Sequence, residues 1–307
     1  MERTNEIDKI LEMINSRLDA LEAENNSQPQ NEEIDFDKEM EKLNSLIGLD
    51  EVKNEVNKLI NYLKFVQKIK DKVNLDKINL NMVFKGNPGT GKTTVARIMA
   101  NLLYSLGFLE NNLVKEATPR DFIAGYVGKT ALKSKKLLDK YKGGVIFVDE
   151  AYSFNHEKGE MNYSDEAIAE IIKEMENKNT VFIFSGYNKE MDDFINLNQG
   201  LKSRVGYIIN FNDYTEEELL EIFNKKLEKD GFKIYDTALE EIKNIIKAKK
   251  QEKNFGNGRM IDNLYNKILL EHASLNYEED DEEKLLTITT DAVNNVDLKI
   301  KRSGYFE

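Results

Sequence analysis

From Gly86 to Thr93 the chain reads G-N-P-G-T-G-K-T, which fits the pattern G-x-x-x-x-G-K-[ST] at every fixed position. Each part has a chemical use. Glycines at 86, 89 and 91 let the backbone curl so that its N–H groups point inward at phosphate oxygens. Lys92 supplies a full charge for the β- and γ-phosphates, and Thr93 offers a hydroxyl to Mg²⁺. Pro88 stiffens the loop without removing an N–H that a phosphate needs. The pattern therefore predicts binding of ATP or GTP. A second group stands at Asp149-Glu150, where the apolar run Val145-Ile-Phe-Val ends in two carboxylates. Asp149 is placed to order Mg²⁺ through its water shell, and Glu150 to accept a proton from an attacking water. By itself the pair would equally serve to cap a following helix; the upstream loop is what favours the catalytic reading.

These groups need elements to hold them. Short apolar runs at 80–84, 113–117, 145–148, 181–184 and 207–211 alternate with amphipathic helices. That alternation predicts a parallel sheet with helices on both faces and right-handed crossovers. The glycine-rich loop then follows a strand and opens a helix over 94–106, where the helix dipole adds positive potential. After Tyr214 the strand signals fade. Thr215 with Glu218 forms a capping box, and Gly231 sits at the C-cap of the helix they start. Further helices are predicted over 237–250 and 258–276, then an acidic solvated loop at 278–283, a short strand-like piece and a last helix. Upstream, 38–76 is mostly helical with a turn at Ile47-Gly48-Leu49. Residues 1–23 carry Ile7, Leu11, Ile14, Leu18 and Leu21 at coiled-coil spacing, which suits self-association or docking on the chain's own domain. A polar, acidic stretch with Pro29 links it to the rest. The predicted division is 1–37, an N-terminal helix and linker; 38–213, an α/β nucleotide-binding domain; and 214–307, a small helical domain.

Composition narrows the chemistry. The chain has 307 residues, no cysteine and two histidines, His156 and His272. A thiol nucleophile, a Cys-ligated zinc site and a multi-His metal centre are thereby excluded. No apolar run approaches the ~20 residues of a membrane span, so a soluble cytoplasmic protein is expected. A net charge of −12 repels phosphate backbones, so nucleic acid is not expected as a partner.

Beyond the residues read singly, the ordered motifs carry a resemblance. The glycine-rich loop, G-G-V-I-F-V-D-E-A-Y from Gly143, F-S-G-Y from Phe184, G-L-K-S-R-V from Gly200 and F-G-N-G-R from Phe255 resemble AAA+ ATPases. They are most similar to the family that contains stage V sporulation protein K and the red-type rubisco activases of the CbbX group. The similarity spans about residues 38–275. It implies an AAA+ fold: a P-loop NTPase parallel sheet sandwiched by helices, followed by a small helical lid domain. It implies ATP and Mg²⁺ as cofactors. The binding set would be Pro88, Gly89, Thr90, Gly91, Lys92, Thr93 and Thr94, with Asp149; Thr93 and Asp149 would hold the metal. Ile47 and Gly48 match the stretch that cups adenine, and Arg259 matches the sensor 2 arginine. Arg204 matches the arginine finger, which serves the nucleotide of the next subunit. Lys92, Glu150 and Arg204 would thus be catalytic. Sensor 1 departs from the general pattern, with either Tyr187 or Asn188 in its place. Tyr126, between Gly125 and Gly128, matches pore loop 1, and 156–162 falls where a second pore loop would lie.

The leading expectation is a homo-oligomeric ring, six-membered by family precedent, that hydrolyses ATP and threads a protein client past Tyr126. An ATP-gated scaffold recruiting a partner through residues 1–37 is the alternative. A nucleic-acid loader is disfavoured by the charge. The client's identity is not legible in the sequence.

Overall fold

The structure is a computed structural model that describes residues 34–69, 78–124, 129–154, 163–177, 180–252 and 255–303. Helix α1 (Phe36–Asn44) opens on Asp35, whose carboxylate accepts from the N–H groups of Asp37 and Lys38. The chain turns through Gly48 and Leu49, both in the left-handed region, and enters α2 (Asp50–Ile69). The described part of the predicted helical stretch 38–76 is thus two helices hinged where the sequence placed its turn, and residues 70–76 lie outside the described residues.

Five strands follow: β1 (Met82–Gly86), β2 (Val114–Ala117), β3 (Val145–Val148), β4 (Val181–Gly186) and β5 (Tyr207–Phe211). They form one parallel sheet in the order β2-β3-β4-β1-β5. The connecting helices are α3 (Lys92–Ser105), α4 (Pro119–Phe122), α5 (Thr130–Lys140), α6 (Tyr163–Asn177), α7 (Asn188–Leu197) and α8 (Gln199–Lys202), with a 3₁₀ turn at Ala151–Phe154. Strands β3 and β4 are buried along their whole length, and so they read as unbroken apolar runs. Alternate side chains feed two cores. Phe84, Phe147 and Ile183 pack with α1, α2 and α3 on one face. Val83, Ile146, Phe182 and Phe184 pack with α6 and α7 on the other. Edge strand β5 alternates instead, burying Ile209 and Phe211 while Ile208 and Asn210 face out.

The strand order reverses at β1, which lies between β4 and β5 rather than beside β2. In an open parallel sheet the crevice at such a reversal, outside the carboxyl ends of the strands, is where ligands bind. The glycine-rich loop leaves β1 there, Asp149-Glu150 leaves β3, and Tyr187 leaves β4.

The C-terminal part is a separate helical core. Its elements are α9 (Glu216–Asp230), β6 (Lys233–Ile234), α10 (Asp236–Lys250), α11 (Asn257–Leu275), α12 (Glu282–Leu285), β7 (Thr287–Ile288) and α13 (Thr290–Ser303). Thr215 and Glu218 make the capping box of α9 and Gly231 its left-handed C-cap, as the sequence predicts. Phe223, Ile242, Ile246, Tyr265 and Ile268 fill this core. The acidic run departs from expectation. Asp281 accepts from the N–H of Glu283 and caps α12, so the run ends in a helical turn rather than in loop. Side-chain capping and the helix dipole both favour acidic residues at that end.

Candidate active site

The loop from Gly86 to Gly91 is braced from inside and from the lid. Thr90 Oγ donates to the carbonyl of Asn87 (2.8 Å), which closes the turn. Gly91 caps α3 with φ of 91° and contributes no side-chain cap, so the first N–H groups of the helix face the loop's concavity. Gly89 has φ of 73°, and a β-carbon there would lie 2.2 Å from the carbonyl oxygen of Gly256. The start of α11 is pressed onto the loop at this point, and the N–H of Gly258 donates to the carbonyl of Gly89 (3.0 Å). Lys92 Nζ donates to the carbonyls of Gly86 and Asn87 (2.8 and 2.7 Å). Burial pushes the Lys92 ammonium from 10.5 down to about 8; Asp149 and Asp213 oppose that shift and Arg259 adds to it.

At the end of β3, Asp149 Oδ1 accepts from Ser185 Oγ (2.7 Å) and from the N–H of Glu150 (3.0 Å). Glu150 has φ of 51°, a left-handed conformation that costs a β-carbon residue ~1–2 kcal/mol. The sharp bend turns the chain into the 3₁₀ segment, and both carboxylates line the same cavity. Tyr152 and Tyr187 stand over the same space with ring centroids 5.8 Å apart. Burial, then the neighbouring Glu150 charge, pushes the Tyr152 phenol up to about 12, which keeps it a hydroxyl at physiological pH.

Together these parts enclose a cavity of about 250 Å³. Of the predicted residues, Pro88, Gly89, Gly91, Lys92, Thr93, Thr94, Asp149, Glu150 and Arg259 line it. Glycine-shaped backbone, a helix N-terminus and two converging cations suit a polyphosphate, and a hydroxyl beside a carboxylate suits a hard metal ion.

Family models add an independent result. The model described as the ATPase family associated with various cellular activities (AAA) matches residues 82–213, and the AAA lid domain matches 215–299. The chloroplastic ribulose bisphosphate carboxylase/oxygenase activase of Cyanidioschyzon merolae is 38% identical, over 75% of this chain and 79% of that one. Stage V sporulation protein K of Bacillus subtilis is 36% identical, over 75% of this chain and 73% of that one. This chain belongs to the AAA+ ATPases, in the group of CbbX and stage V sporulation protein K. The crystal structure of the FIGL-1 AAA domain in complex with ADP superposes with a TM-score of 0.55 at 15% identity, covering 82% of this chain and 81% of that one, and supports the fold. The chain is therefore an ATPase, built as an AAA domain followed by an AAA lid.

Other predicted residues of this ATPase lie around the cavity or away from it. Thr90 is a fully buried member of the loop. Ile47 and Gly48 do not line the cavity, and a β-carbon on Gly48 would lie 2.1 Å from Glu218 Oε1 at the start of the lid. Their neighbour Leu49 packs toward Gly91 and touches the lid core. Asn188 opens α7 outside the cavity, whereas Tyr187 lines it. Arg204 lines a different cavity, of about 430 Å³, and pairs with Glu176 of its own chain while Nη1 donates to the carbonyl of Gly200 (2.9 Å). Asn81 holds the backbone there: its amide donates to the carbonyl of Arg204 and accepts from the N–H of Phe182. Tyr126, residues 156–162 and the helix predicted over 1–23 lie outside the described residues.

The sequence reading missed a buried clasp between the lid and the loop of this ATPase. Asn257 is fully buried with φ of 47°. Its Oδ1 accepts from the N–H of Tyr214 (3.0 Å), and Nδ2 donates to Asp213 Oδ1 (2.7 Å) and, at 3.4 Å, to the carbonyl of Pro88. Asp213 also accepts from Asn87 of the loop. Asp262, Tyr152 and Ser185 were likewise missed. Flanking glycines hinted at a special backbone at 257, but no local signal pairs it with residues so distant in the chain.

Proposed function

We propose that this ATPase works as a ring whose active sites are shared between neighbouring subunits and whose hydrolysis drives the remodelling of a protein client. Lys92 and Arg259 would bind the phosphates, Thr93 and Asp149 would hold Mg²⁺, and Glu150 would take the proton from the attacking water. Backbone at Pro88, Gly89, Thr90, Gly91 and Thr94 would cradle the phosphates, with Ile47 and Gly48 near the base. Tyr187 is better placed than Asn188 to face that water, because it lines the cavity. When bound, Mg²⁺ supplies neutralisation of the charge that develops on the transferring phosphoryl group.

The observation that carries the shared site is the position of Arg204. The cavity already has two cations from its own chain, and Arg204 stands on another face, paired with Glu176. A guanidinium there can serve phosphate only in a neighbouring copy. Residues 214–307 would shift against 38–213 during turnover, and Tyr126 would grip an extended client, with 1–37 outside that moving unit. Six subunits and a cytoplasmic location are the working assumption. One relative is named as an activase of the enzyme ribulose bisphosphate carboxylase/oxygenase, which supports a protein client.

Mixing two inactive variants tests the shared site. Lys92→Ala and Arg204→Ala each abolish hydrolysis. Combined 1:1 they regenerate intact interfaces at about one site in four, with activity to match, if subunits assort freely in a closed ring. Full activity of Arg204→Ala alone, or no recovery in the mixture, overturns the proposal.

A further inference from the structure

The reading above makes Asp149 the carboxylate that holds the metal, and a carboxylate does so only when its plane is fixed. Its terminal torsion is broad and roughly two-fold, so the side chain does not fix it alone. Parallel register pairs Val148 of β3 with Phe184 of β4, which brings the next residue of each, Asp149 and Ser185, side by side. Ser185 is fully buried, also flanked by Phe84 of β1, and its hydroxyl donates to Asp149 Oδ1 at 2.7 Å. That length is typical of a charge-assisted bond. The N–H of Glu150 donates to the same oxygen. Oδ1 is thus committed to two donors, and Oδ2 takes no hydrogen bond from the described residues.

We propose that Ser185 is a positioning residue for the metal: its hydroxyl sets the rotation of the Asp149 carboxylate so that Oδ2 is offered to the cavity. The inference rests on the nucleotide–metal reading of that cavity. Hydrogen bonds of this outer kind orient a ligand, and losing one weakens metal affinity by roughly tenfold or more.

Ser185→Ala removes the hydroxyl with little change of volume. Binding of a fluorescent ADP is measured first in EDTA and then during a Mn²⁺ titration, with Mn²⁺ occupancy followed by electron paramagnetic resonance. The expected result is metal-free ADP affinity within twofold of wild type, together with a Mn²⁺ half-saturation point raised roughly tenfold. Ser185→Thr, which keeps the hydroxyl, restores it. An unchanged Mn²⁺ titration in Ser185→Ala overturns the proposal. So does an equal loss of metal-free affinity, which marks a packing role, or a Thr variant as impaired as Ala. A wild-type protein whose ADP binding ignores Mn²⁺ overturns the nucleotide–metal reading itself, and this inference with it.

Discussion

Replacing Asn257 should separate two costs that the lid–loop clasp combines. The side chain satisfies the buried N–H of Tyr214 and anchors Asp213 and the loop, while its backbone sits at φ of 47°. Asn257→Ala leaves the Tyr214 N–H unpaired, at about 2 kcal/mol. It also places an ordinary β-carbon residue in the left-handed region, where Asn and Gly are tolerated better, at about 1 kcal/mol. The expected loss is about 3 kcal/mol for Ala and about 2 kcal/mol for Gly, which escapes the backbone cost. Asn257→Asp keeps the acceptor for Tyr214 but sets a carboxylate where Nδ2 now lies 2.7 Å from Asp213 Oδ1. Two carboxylates in contact cannot both ionise freely, so the Asp variant should be the least stable near neutral pH and should recover toward wild type on acidification. Urea unfolding followed by circular dichroism, at neutral and mildly acidic pH, measures all three. Equal stability of Ala and Gly would refute the backbone argument. A harmless Asp variant at neutral pH would refute the clasp.

Further outcomes concern Lys92, Glu150 and Tyr126. In the nucleotide-free protein Lys92 loses its proton near pH 8, whereas a bound polyphosphate favours the ammonium, so binding takes up a proton above that pH. Above the range in which the terminal phosphate of ADP is itself protonated, ADP affinity should be flat up to about pH 7.5 and fall by up to about tenfold per pH unit above 8. Lys92→Arg, which stays charged, should flatten the profile as measured by calorimetry. The same depressed value penalises the folded, nucleotide-free state below pH 8. That penalty is relieved between about 8 and 10.5, where the unfolded chain holds more protons. Glu150→Gln should retain nucleotide while turnover falls by about 10²–10⁴. If Tyr126 grips a client as proposed, Tyr126→Ala in that trapped background should release the co-purifying client, while on its own it should leave ATP hydrolysis within about twofold, since such a grip would act through contact area rather than through the phosphate chemistry.

Much of this protein is written in local sequence. The phosphate loop, the strand ending in Asp149-Glu150, the Thr215–Glu218 box and the Gly231 cap are decided by neighbours a few residues apart, and the structure places each where its pattern fell. Burial on both faces made β3 and β4 unmistakable apolar runs, and the turn at Gly48 announced itself by residue type. Strand order, in contrast, is a property of how whole βαβ units pack. It brings Ser185 beside Asp149 and closes the crevice over the loop. Asn257 meets Tyr214 and Pro88 only because the lid folds back on the sheet, and Arg204 meets Glu176 only because the end of α6 packs beside the segment that leads into β5. A short motif specifies what a segment can bind. Which distant hydroxyl, amide or carboxylate holds it in place is set by contacts whose partners carry no signature of one another in the chain.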